Sequence, residues 1–574
     1  MFNTEAVITE KFPAVTKSPK LARKILFAVL RRILHEDEIA EFLQDNQHCG
    51  PIEFVERVLE YFNVGYSLAS KQRINVPTTG RSIIVSNHPI GSLDGLLLIL
   101  LVSEIRNDVK IVANDMLTHL KPLAPLILPV DNMTHRSSRQ SIQNIIEALN
   151  QEQAIIMFPS GEVSRTTPSG IRDRIWNSGF LRIAKATNSP IIPVHIHAKN
   201  SRLFYLASML YRPLGTLLLV NEMFNKNHNV FPVSISEPIP YQQIGGMELP
   251  LPVKTKLVRK HLYRIGRGKK PIFRTEKPIA HPEKRQDLKR ELDGAELLGE
   301  TNDGKMIYLV DYRPDSRVMK ELGRLRELSF RQVGEGSGNK RDNDHYDKYY
   351  RHIVLWDDEE LEVVGSYRIG ECAEIVRDNG LQGLYCSTLF DFSDEFVPII
   401  ENSIELGRSF VQPKYWGRRS LDYLWFGIGA YLRRNPRVKY MFGPVSISNS
   451  FPDSAKNLLT DFYSLHFGDI HHLAHAKKPY RQLNALPSVV EFGGEDYHQD
   501  FIKLKEALKH MGLSVPTLYK QYTEICDAGG VRFLDFNVDP DFGFCIDGLV
   551  LVEIGKIKQR AKARYIDSEL RAVS

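Results

Sequence analysis

A histidine and an aspartate placed six residues apart are the first candidates for chemistry in this sequence. His88 and Asp94 flank the turn between the β-branched run at residues 83–85 and the apolar run at residues 96–102. This pattern predicts a buried strand, a turn and a helix. A histidine at the strand end can accept a proton from a substrate hydroxyl, while Asp94 holds the other ring nitrogen and fixes the tautomer. In the alternative interpretation, Asp94 only caps the helix and His88 is a structural histidine.

A second polar cluster follows the apolar run at residues 154–157, again on a turn rich in Gly, Pro and Ser. Residues 158–165 place Glu162 and Arg165 where both can face a polar ligand, because Pro and Gly fix the turn. Either charge alone is typical of a solvated surface. Alternating strands and helices predict an α/β domain with a largely parallel sheet. Ligands gather at the carboxyl ends of such strands, where His88 and Glu162 fall.

The two clusters resemble the paired blocks of the glycerolipid and lysophospholipid O-acyltransferase superfamily. Residues 87–95 read NHPIGSLDG and residues 158–165 read FPSGEVSR, in the order of that family's NH(x)nD and FP(x)G blocks. Two features differ from the commonest form of that family: the spacing from His to Asp is one residue longer, and the acid of the second block follows the glycine. Both features resemble the hemolysin-like branch of the family. The resemblance covers residues 65 to 240. It implies that a hydroxyl attacks an acyl thioester directly, without a serine or cysteine nucleophile.

The resemblance also implies roles for individual residues. His88 and Asp94 are the expected catalytic pair, and donors near Gly91 or Gly161 are expected to stabilise the oxyanion. The residues expected to bind substrate in this half are Asn87, Gly91, Gly161, Glu162 and Arg165. Arg172 and Arg174 are the next basic residues available to a donor or headgroup.

Composition and charge restrict the class of protein. A chain of 574 residues is too long to fold around a single hydrophobic core, so two or three domains are expected. With 43% hydrophobic and 25% charged residues, its composition is that of an ordinary globular protein. A net charge of +6 does not by itself indicate nucleic acid. The longest apolar runs, at residues 96–102 and 214–220, fall short of the about 18 residues that span a bilayer, and no secretory signal is evident. We expect a cytoplasmic protein peripherally associated with the inner membrane, with reduced thiols and no metal site.

A basic, amphipathic pattern lies near the N-terminus. Its apolar members fall on one helical face: Ala22, Ile25, Leu26, Val29 and Ile33. Lysines and arginines between Lys17 and Arg32 surround them. Such a helix can lie on an anionic bilayer surface, although a helix that packs on its own domain is an equal alternative.

The second half of the chain carries a different pattern. The predicted elements follow the order of the GNAT N-acyltransferase fold. They are a hairpin at 353–368, a strand ending at Pro413, a helix at 418–432 and a strand at 440–446. The resemblance is closest to ornithine N-acyltransferases and more distant to acyl-homoserine-lactone synthases. The segments that carry it include VVGSYRIG at 363–370, ELGRSFVQPKY at 405–415 and MFGPVSIS at 441–448. Residues 412–419 stand where coenzyme A users have a glycine-rich loop. This favours an acyl carrier protein as donor.

Amide formation requires an amine that has lost its proton, so a carboxylate is the natural base. Glu405 is the expected catalytic residue of this half, either as the base or as an orienting group. Arg408 is expected to hold the substrate carboxylate in a bidentate grip, and Arg368 is a further substrate-binding candidate. Asp347 is a weaker one. A structural ion pair is the competing interpretation for each.

Together the two halves resemble the bifunctional ornithine-lipid synthases. The resemblance implies that the C-terminal half attaches a 3-hydroxyacyl chain to ornithine and the N-terminal half esterifies its hydroxyl. The expected regions are a helical, membrane-surface segment at 1–64, an O-acyltransferase-like α/β domain at 65–240, a basic linker at 241–300, and a GNAT-like α+β domain at 301–574. The expected partners are an acyl carrier protein with a phosphopantetheine-linked acyl thioester, a lyso-lipid at the membrane surface and an amino acid, with no nucleic acid and no further cofactor.

Several alternatives remain open at this point. The amine could be lysine, glutamine or glycine, and the acceptor of the first half could be a lysophospholipid. A membrane-perturbing, hemolysin-like protein and a carrier- or lipid-binding scaffold are rivals from other classes.

Overall fold

The computed structural model describes residues 27, 28, 31, 35–130, 139–167, 170–210, 212–226, 229–481 and 490–567. The chain divides into two compact units, Met1–Pro278 and Ile279–Ser574. The expected linker at 241–300 is therefore not a separate region: its first part belongs to the first unit and its remainder to the second. The apolar stripe from Ala22 to Ile33 lies outside the described residues.

The first unit contains a mostly parallel sheet. Its strands are β1 Gly65–Leu68, β2 Ser82–Ser86, β3 Val109–Asn114, β4 Ile127–Val130, β5 Ala154–Met157, β6 Arg165–Thr167, β7 Gly170–Arg172, β8 Ile191–Ile196 and β9 Val230–Ile235. Within the described residues, seven of them form one sheet in the order β1-β9-β8-β2-β5-β3-β4, and β6 and β7 form a hairpin. Neighbours in the large sheet are parallel except β8 and β9. The predicted strands at 83–86, 109–113, 154–158 and 191–196 agree with this sheet.

Helices cover both faces of this sheet. They are α1 Glu36–Asp45, α2 Pro51–Tyr61, α3 Ser70–Arg73, α4 Ser92–Ser103, α5 Arg139–Asn150, α6 Gly179–Thr187, α7 Arg202–Leu210, α8 Arg212–Phe224, α9 Tyr241–Gly245 and α10 Leu251–Ile265. Alternate residues of β2 enter opposite cores: Ile84 packs with α2 and α4, whereas Ile83 and Val85 pack with α5, α6 and α10. Both faces of β2 are thus buried, as its continuous apolar run predicts. The strand end that carries His88 is held at the centre of the unit.

The second unit contains a mostly antiparallel sheet. Its strands are β10 Glu296–Glu300, β11 Lys305–Val310, β12 Arg351–Asp357, β13 Glu362–Glu371, β14 Phe390–Phe392, β15 Ser403–Val411, β16 Tyr440–Ile447, β17 Ala474–Ala476, β18 Val531–Asp539 and β19 Cys545–Glu553. In the described part of the chain, eight of them form one sheet in the order β10-β11-β12-β13-β15-β16-β19-β18. The pair β15 and β16 is parallel and the other neighbours are antiparallel. The predicted hairpin corresponds to β12 and β13.

Helices pack against this second sheet. They are α11 Arg285–Leu292, α12 Arg317–Gln332, α13 Cys372–Asn379, α14 Val397–Ile400, α15 Ser420–Arg434, α16 Asp453–Phe467, α17 Tyr497–His510, α18 Thr517–Glu524 and α19 Gln559–Tyr565. The predicted helix at 418–432 corresponds to α15. An α/β unit followed by an α+β unit confirms the predicted fold class. Among the helices that the structure describes, none has the length and apolar character needed to cross a bilayer.

Candidate active sites

His88 and Asp94 contact each other beyond the carboxyl end of β2. The His88 Nδ1 atom lies 2.9 Å from Asp94 Oδ2, and the imidazole remains 20% exposed whereas the carboxylate is fully buried. The same Oδ2 accepts the backbone N–H groups of Ile90 at 2.9 Å and Gly91 at 3.0 Å. An ionised Asp94 therefore accepts the hydrogen on Nδ1. This leaves Nε2 as the ring atom that can accept a proton from a substrate.

Asp94 caps α4 as well as orienting His88. It occupies the third position of the helix, and its carboxylate accepts the N–H of the N-cap residue Gly91. Gly91 has φ +93°, a conformation that favours glycine. Burial raises the pKa of Asp94, while the hydrogen bonds from His88, Ile90 and Gly91 act in the opposite direction. The two interpretations of Asp94 offered by the sequence are thus both features of one turn.

The second polar cluster meets the first because β2 and β5 are adjacent and parallel, with Val85 paired to Met157. The imidazole of His88 lies 4.3 Å from the ring of Phe158, centroid to centroid. The Ser164 N–H donates to the His88 carbonyl at 2.7 Å. The carboxyl ends of these two strands therefore bring the two blocks together.

Asp173 joins the two clusters and was missed by the sequence reasoning. Its Oδ1 accepts the His88 N–H at 3.2 Å and the Ser164 hydroxyl at 2.6 Å, and its Oδ2 accepts the Trp176 indole N–H at 2.9 Å. Burial raises the pKa of this carboxyl, and its hydrogen-bond donors oppose that effect. Asp173 is therefore a positioning residue for the His88 peptide. Its sequence signal is weak: one acid between Arg172 and Arg174.

Glu162 and Arg165 lie close together. The Arg165 Nε atom is 3.9 Å from Glu162 Oε2, and the guanidinium lies 5.2 Å from the centre of the Phe204 ring on α7. Arg165 also donates to the Ser208 hydroxyl of the same helix. The β6–β7 hairpin pairs Arg165 with Arg172. This places a partly exposed acid and two arginines directly after the segment that contacts His88.

Three residues expected to bind substrate have other partners in the structure. The Asn87 amide donates to the Ile196 carbonyl at 2.9 Å and accepts the Ile196 N–H at 2.8 Å. It therefore continues the contact between β2 and β8. The N–H of Gly91 donates to Asp94, and that of Gly161 donates to the Phe158 carbonyl at 3.1 Å. These contacts indicate that the three residues shape the turns around His88, and the expectation that donors near Gly91 or Gly161 stabilise the oxyanion stays a prediction.

In the second unit, Arg368 and Arg408 belong to a buried network of ion pairs. Arg368 lies 2.7 Å from Asp344 and 3.3 Å from Asp347, and Arg408 lies 3.1 Å from Asp342 and 3.4 Å from Asp344. Burial alone would raise the pKa of Asp347, but Arg326 and Arg368 hold it well below its usual range. The charges of both arginines are thus balanced by aspartates. Arg408 retains 13% side-chain exposure, whereas Arg368 retains 1%.

A β-bulge turns Arg408 out of the regular ladder. Arg368 pairs with Gly407 and Ser366 pairs with Phe410, so Arg408 and Ser409 together oppose Tyr367. Arg408 adopts φ +48°, which is uncommon for a residue with a side chain. Its guanidinium lies 4.8 Å from the centre of the Tyr385 ring. The bulge therefore aims the side chain at Tyr385.

Glu405 does not have the open position that a general base requires. Its carboxylate accepts the N–H groups of Tyr385 at 3.1 Å and Cys386 at 2.6 Å, and it also accepts the Tyr350 hydroxyl. The residue is 1% exposed. This geometry differs from the predicted role of a base. Glu405 instead fixes the segment whose Tyr385 contacts Arg408.

A group of acids near Arg408 was also missed by the sequence reasoning. Asp547 on β19 is buried, and its Oδ1 accepts the Ser446 hydroxyl at 2.7 Å. Burial raises the pKa of Asp547 to about 6, while Ser446 and the Arg408 guanidinium act in the opposite direction. Burial and the charge of Asp547 raise the pKa of Glu335 to about 8, and burial also raises that of Asp539. Carboxylates with raised pKa values are suited to accept a proton near neutral pH.

The parallel strands β15 and β16 separate beside these residues. Within the described residues, their ladder contains three pairs and ends at Glu405 and Phe442, although β15 continues to Val411 and β16 to Ile447. At the point of separation, a Cβ on Gly443 would lie 2.0 Å from the Leu406 carbonyl oxygen. Glycine therefore permits the last close approach of the two strands. Beyond it, the two strands are no longer paired with each other, and Arg408 lies on this unpaired part of β15.

Comparisons with known proteins agree with this two-unit architecture. Residues 7–268 match a family model described as acyltransferase, and residues 325–426 match the acetyltransferase (GNAT) domain. The chain is 30% identical over 305 residues to a glycine N(alpha)-acyltransferase of Phocaeicola vulgatus, covering 50% of this chain and 93% of that protein. It is 30% identical over 241 residues to a lyso-glycine lipid O-acyltransferase of the same organism, covering 41% of this chain and 85% of that protein.

The name of a third relative specifies a different amino acid. The chain is 27% identical over 249 residues to an L-ornithine N(alpha)-acyltransferase of Agrobacterium fabrum, covering 42% of this chain and 77% of that protein. The predicted enzyme class is thus confirmed. The chain belongs to the family of amino-acid lipid acyltransferases, and it has the architecture of a bifunctional ornithine-lipid synthase, with an acyltransferase domain followed by a GNAT domain.

Proposed function

We propose that this chain makes ornithine lipid in two acyl transfers. The second unit joins a 3-hydroxyacyl chain to the α-amine of ornithine, and the first unit then esterifies the 3-hydroxyl with a second chain. The observation that carries the O-acyl step is the 2.9 Å contact between His88 and the fully buried Asp94. It supplies a proton acceptor that is fixed in one tautomer and still partly exposed.

In the O-acyl transfer, the hydroxyl oxygen of the lyso-lipid attacks the thioester carbonyl carbon. A C–O bond forms, the C–S bond breaks, and the hydroxyl proton passes to His88 Nε2 and then to the leaving thiolate. Asp94 stabilises the imidazolium that forms between these events. Arg165 and Glu162 bind the polar part of the acceptor.

In the N-acyl transfer, we assign the proton acceptor to Asp547 rather than Glu405. Asp547 accepts two hydrogen bonds, from Ser446 and Cys545, and both reach the same oxygen, Oδ1. Its raised pKa suits a base for the substrate amine. The amine nitrogen attacks the thioester, an amide bond forms, the C–S bond breaks, and the proton passes through Asp547 to the thiolate.

The point where β15 and β16 separate is the proposed place of the acyl donor. A phosphopantetheine arm contains amide groups, which can pair with backbone groups of a strand as an added strand does. Exposed basic residues precede α15: Lys414, Arg418 and Arg419. Their charge suits the phosphate of the arm and an acidic carrier protein. These features support an acyl carrier protein as the donor.

The acids around Asp547 favour ornithine over a neutral amino acid. Ornithine carries a second ammonium group, which Glu335 or Asp539 can pair with, whereas glycine has no side chain to use them. Glycine is the second candidate, because the relatives named for it are more similar to this chain than the one named for ornithine. Lysine and glutamine stay as further alternatives.

Lipid mass spectrometry of cells that express the chain tests this proposal. The headgroup mass distinguishes ornithine from glycine, and the acyl count distinguishes the two transfers. We expect His88→Ala to accumulate the N-acylated lyso-lipid and to lose the diacyl product by about 10²–10⁴-fold. His471→Ala, which changes an exposed histidine of the second unit, is the matched control. Unchanged diacyl lipid in His88→Ala cells would show that the assignment of the first unit is wrong.

A further inference from the structure

Helix α7 presents an apolar face to solvent. Leu203 is 66% exposed, Leu206 is 60% exposed and Met209 is 71% exposed. Residues three apart in a helix lie on the same side, so the three form one continuous strip along α7. A strip of this size, made of large aliphatic side chains, is typical of a surface that meets an apolar partner.

The opposite side of α7 packs over the His88 site. Phe204 and Tyr205 are buried with Val163, and Leu218 and Leu219 of α8 pack against the same cluster. A Cβ on Gly91 would lie 3.5 Å from Leu219 and 3.7 Å from Val163. The helix thus has its exposed strip on one side and the turn of the catalytic pair on the other.

Two further hydrogen bonds tie α7 to the same turn. The Tyr205 hydroxyl accepts the Asn200 N–H at 3.1 Å, and the Asn200 amide donates to the Pro89 carbonyl at 3.2 Å. Arg165 also donates to Ser208 of α7. A partner that binds the exposed strip is therefore held within one helix diameter, about 10 Å, of the residues that surround His88.

The charge of this segment indicates what kind of partner suits it. Residues 194–221 contain no Asp or Glu, and they include Lys199, Arg202 and Arg212. Lys199 and Arg202 are exposed. Aliphatic residues on one strip with cations beside them suit the boundary between acyl chains and anionic headgroups.

We propose that the exposed strip of α7 docks on an anionic lipid bilayer. Leu203, Leu206 and Met209 enter the acyl boundary, while Lys199 and Arg202 contact the headgroups. The inference rests on the proposed function, because the docked bilayer would hold the lyso-lipid whose hydroxyl reaches His88. It assigns the contact to α7 of the first unit.

Vesicle co-sedimentation of the full chain tests the proposal without any substrate. The probes are vesicles of phosphatidylcholine alone and of phosphatidylcholine with phosphatidylglycerol. We expect the wild-type chain to bind the anionic vesicles more tightly. The triple variant Leu203→Ser, Leu206→Ser, Met209→Ser should lose about tenfold or more of its vesicle partitioning, because it removes the apolar contacts. Arg202→Glu should weaken binding to the anionic vesicles alone.

The control replaces exposed apolar residues of the second unit in the same number: Leu465→Ser, Ile470→Ser and Ile502→Ser. It should bind as the wild type does. Wild-type binding by the α7 triple variant would overturn the proposal, and so would an equal loss in the control. Light scattering that shows a dimer disrupted by the α7 variant, with vesicle binding unchanged, would identify a second copy as the occupant instead.

Activity measurements separate this inference from the proposed function. The α7 triple variant should acylate detergent-dispersed lyso-lipid at the wild-type rate and vesicle-bound lyso-lipid more slowly. If vesicle binding depends on α7 but the wild-type chain acylates no lyso-lipid in either form, the docking surface stands and the proposed O-acyl transfer is wrong.

Discussion

Asp94 has two roles that depend on the same oxygen atom. Its Oδ2 receives hydrogen bonds from the backbone at the start of α4 and from the His88 imidazole. The helix cap thereby sets the position of the carboxylate, and the carboxylate sets the tautomer of the ring. The helix cap and the orientation of the His88 ring therefore both depend on this one carboxylate oxygen.

Replacing Asp94 with Asn separates these roles in part. The Asn side-chain oxygen can still accept the Ile90 and Gly91 N–H groups, but a neutral amide cannot stabilise an imidazolium. We expect Asp94→Asn to lower the O-acylation rate by about 10²–10⁴-fold while the N-acylation rate is unchanged. Initial rates with purified lyso-lipid measure this effect, and circular dichroism checks folding. O-acylation at the wild-type rate would contradict the proposed role of Asp94.

The raised pKa of Asp547 predicts a pH dependence of N-acylation. The group must be ionised to accept a proton, so the wild-type rate should fall as the pH drops through about 6. Protonation of the substrate amine lowers the rate of every variant in the same direction. The profile of the slower Asp547→Asn variant should therefore lack the step near pH 6. If both profiles have the same shape, Asp547 is not the base.

The raised pKa of Asp547 also makes the stability of the second unit depend on pH. A folded-state pKa above the ordinary value means that the folded chain binds this proton more tightly than the unfolded chain. The resulting stability is present below the ordinary pKa and is lost as the pH rises through about 6. Asp547→Asn should therefore raise the free energy of unfolding of the second unit above pH 6, as denaturant titration would measure. A lower value would indicate that the carboxylate is stabilised by partners other than Ser446 and Cys545.

Among the elements, the separation of β15 from β16 depends on a single glycine. A Cβ on Gly443 would lie 2.0 Å from the Leu406 carbonyl oxygen, whereas a Cβ on Gly407 meets no atom within 4 Å. We expect Gly443→Ala to move the strands at the point of separation and to reduce N-acylation by at least about tenfold. Gly407→Ala is the matched control and should keep the wild-type rate. Steady-state rates with carrier-bound acyl chains measure both, and equal rates for the two variants would contradict this account of the separation.

Local elements were predictable from sequence, whereas the long-range hydrogen bonds at the sites were not. The strand, turn and helix around His88 follow from apolar runs and from glycines within a short stretch. Asp173 contacts His88 across 85 positions, and the Tyr350 hydroxyl reaches Glu405 across 55. Glu405 therefore has the residue type of a base but is already occupied by Tyr350, Tyr385 and Cys386. No local pattern of apolar and polar residues reports such partners.

At the scale of the whole molecule, each unit contains a complete set of candidate residues. His88, Asp94 and Asp173 belong to the first unit, and Arg408, Asp547 and the separated strands belong to the second. The two activities should therefore be separable by mutation and should complement each other. A mixture of His88→Ala and Asp547→Asn chains should form more diacyl product than the two chains form separately, because the lyso-lipid can leave one chain and bind another. Mass spectrometry of the mixture measures this, and a product no greater than the sum of the separate chains would contradict it.

With α7 docked on a bilayer as proposed, the rate of the O-acyl step should depend on how much lyso-lipid the bilayer surface contains. An enzyme that meets its acceptor in the plane of a bilayer responds to the mole fraction of that acceptor in the surface rather than to its amount per volume of solution. Adding inert phospholipid at a constant total of lyso-lipid should therefore slow the ester-forming step. The amide-forming step, whose amino acid is dissolved in water, should keep its rate.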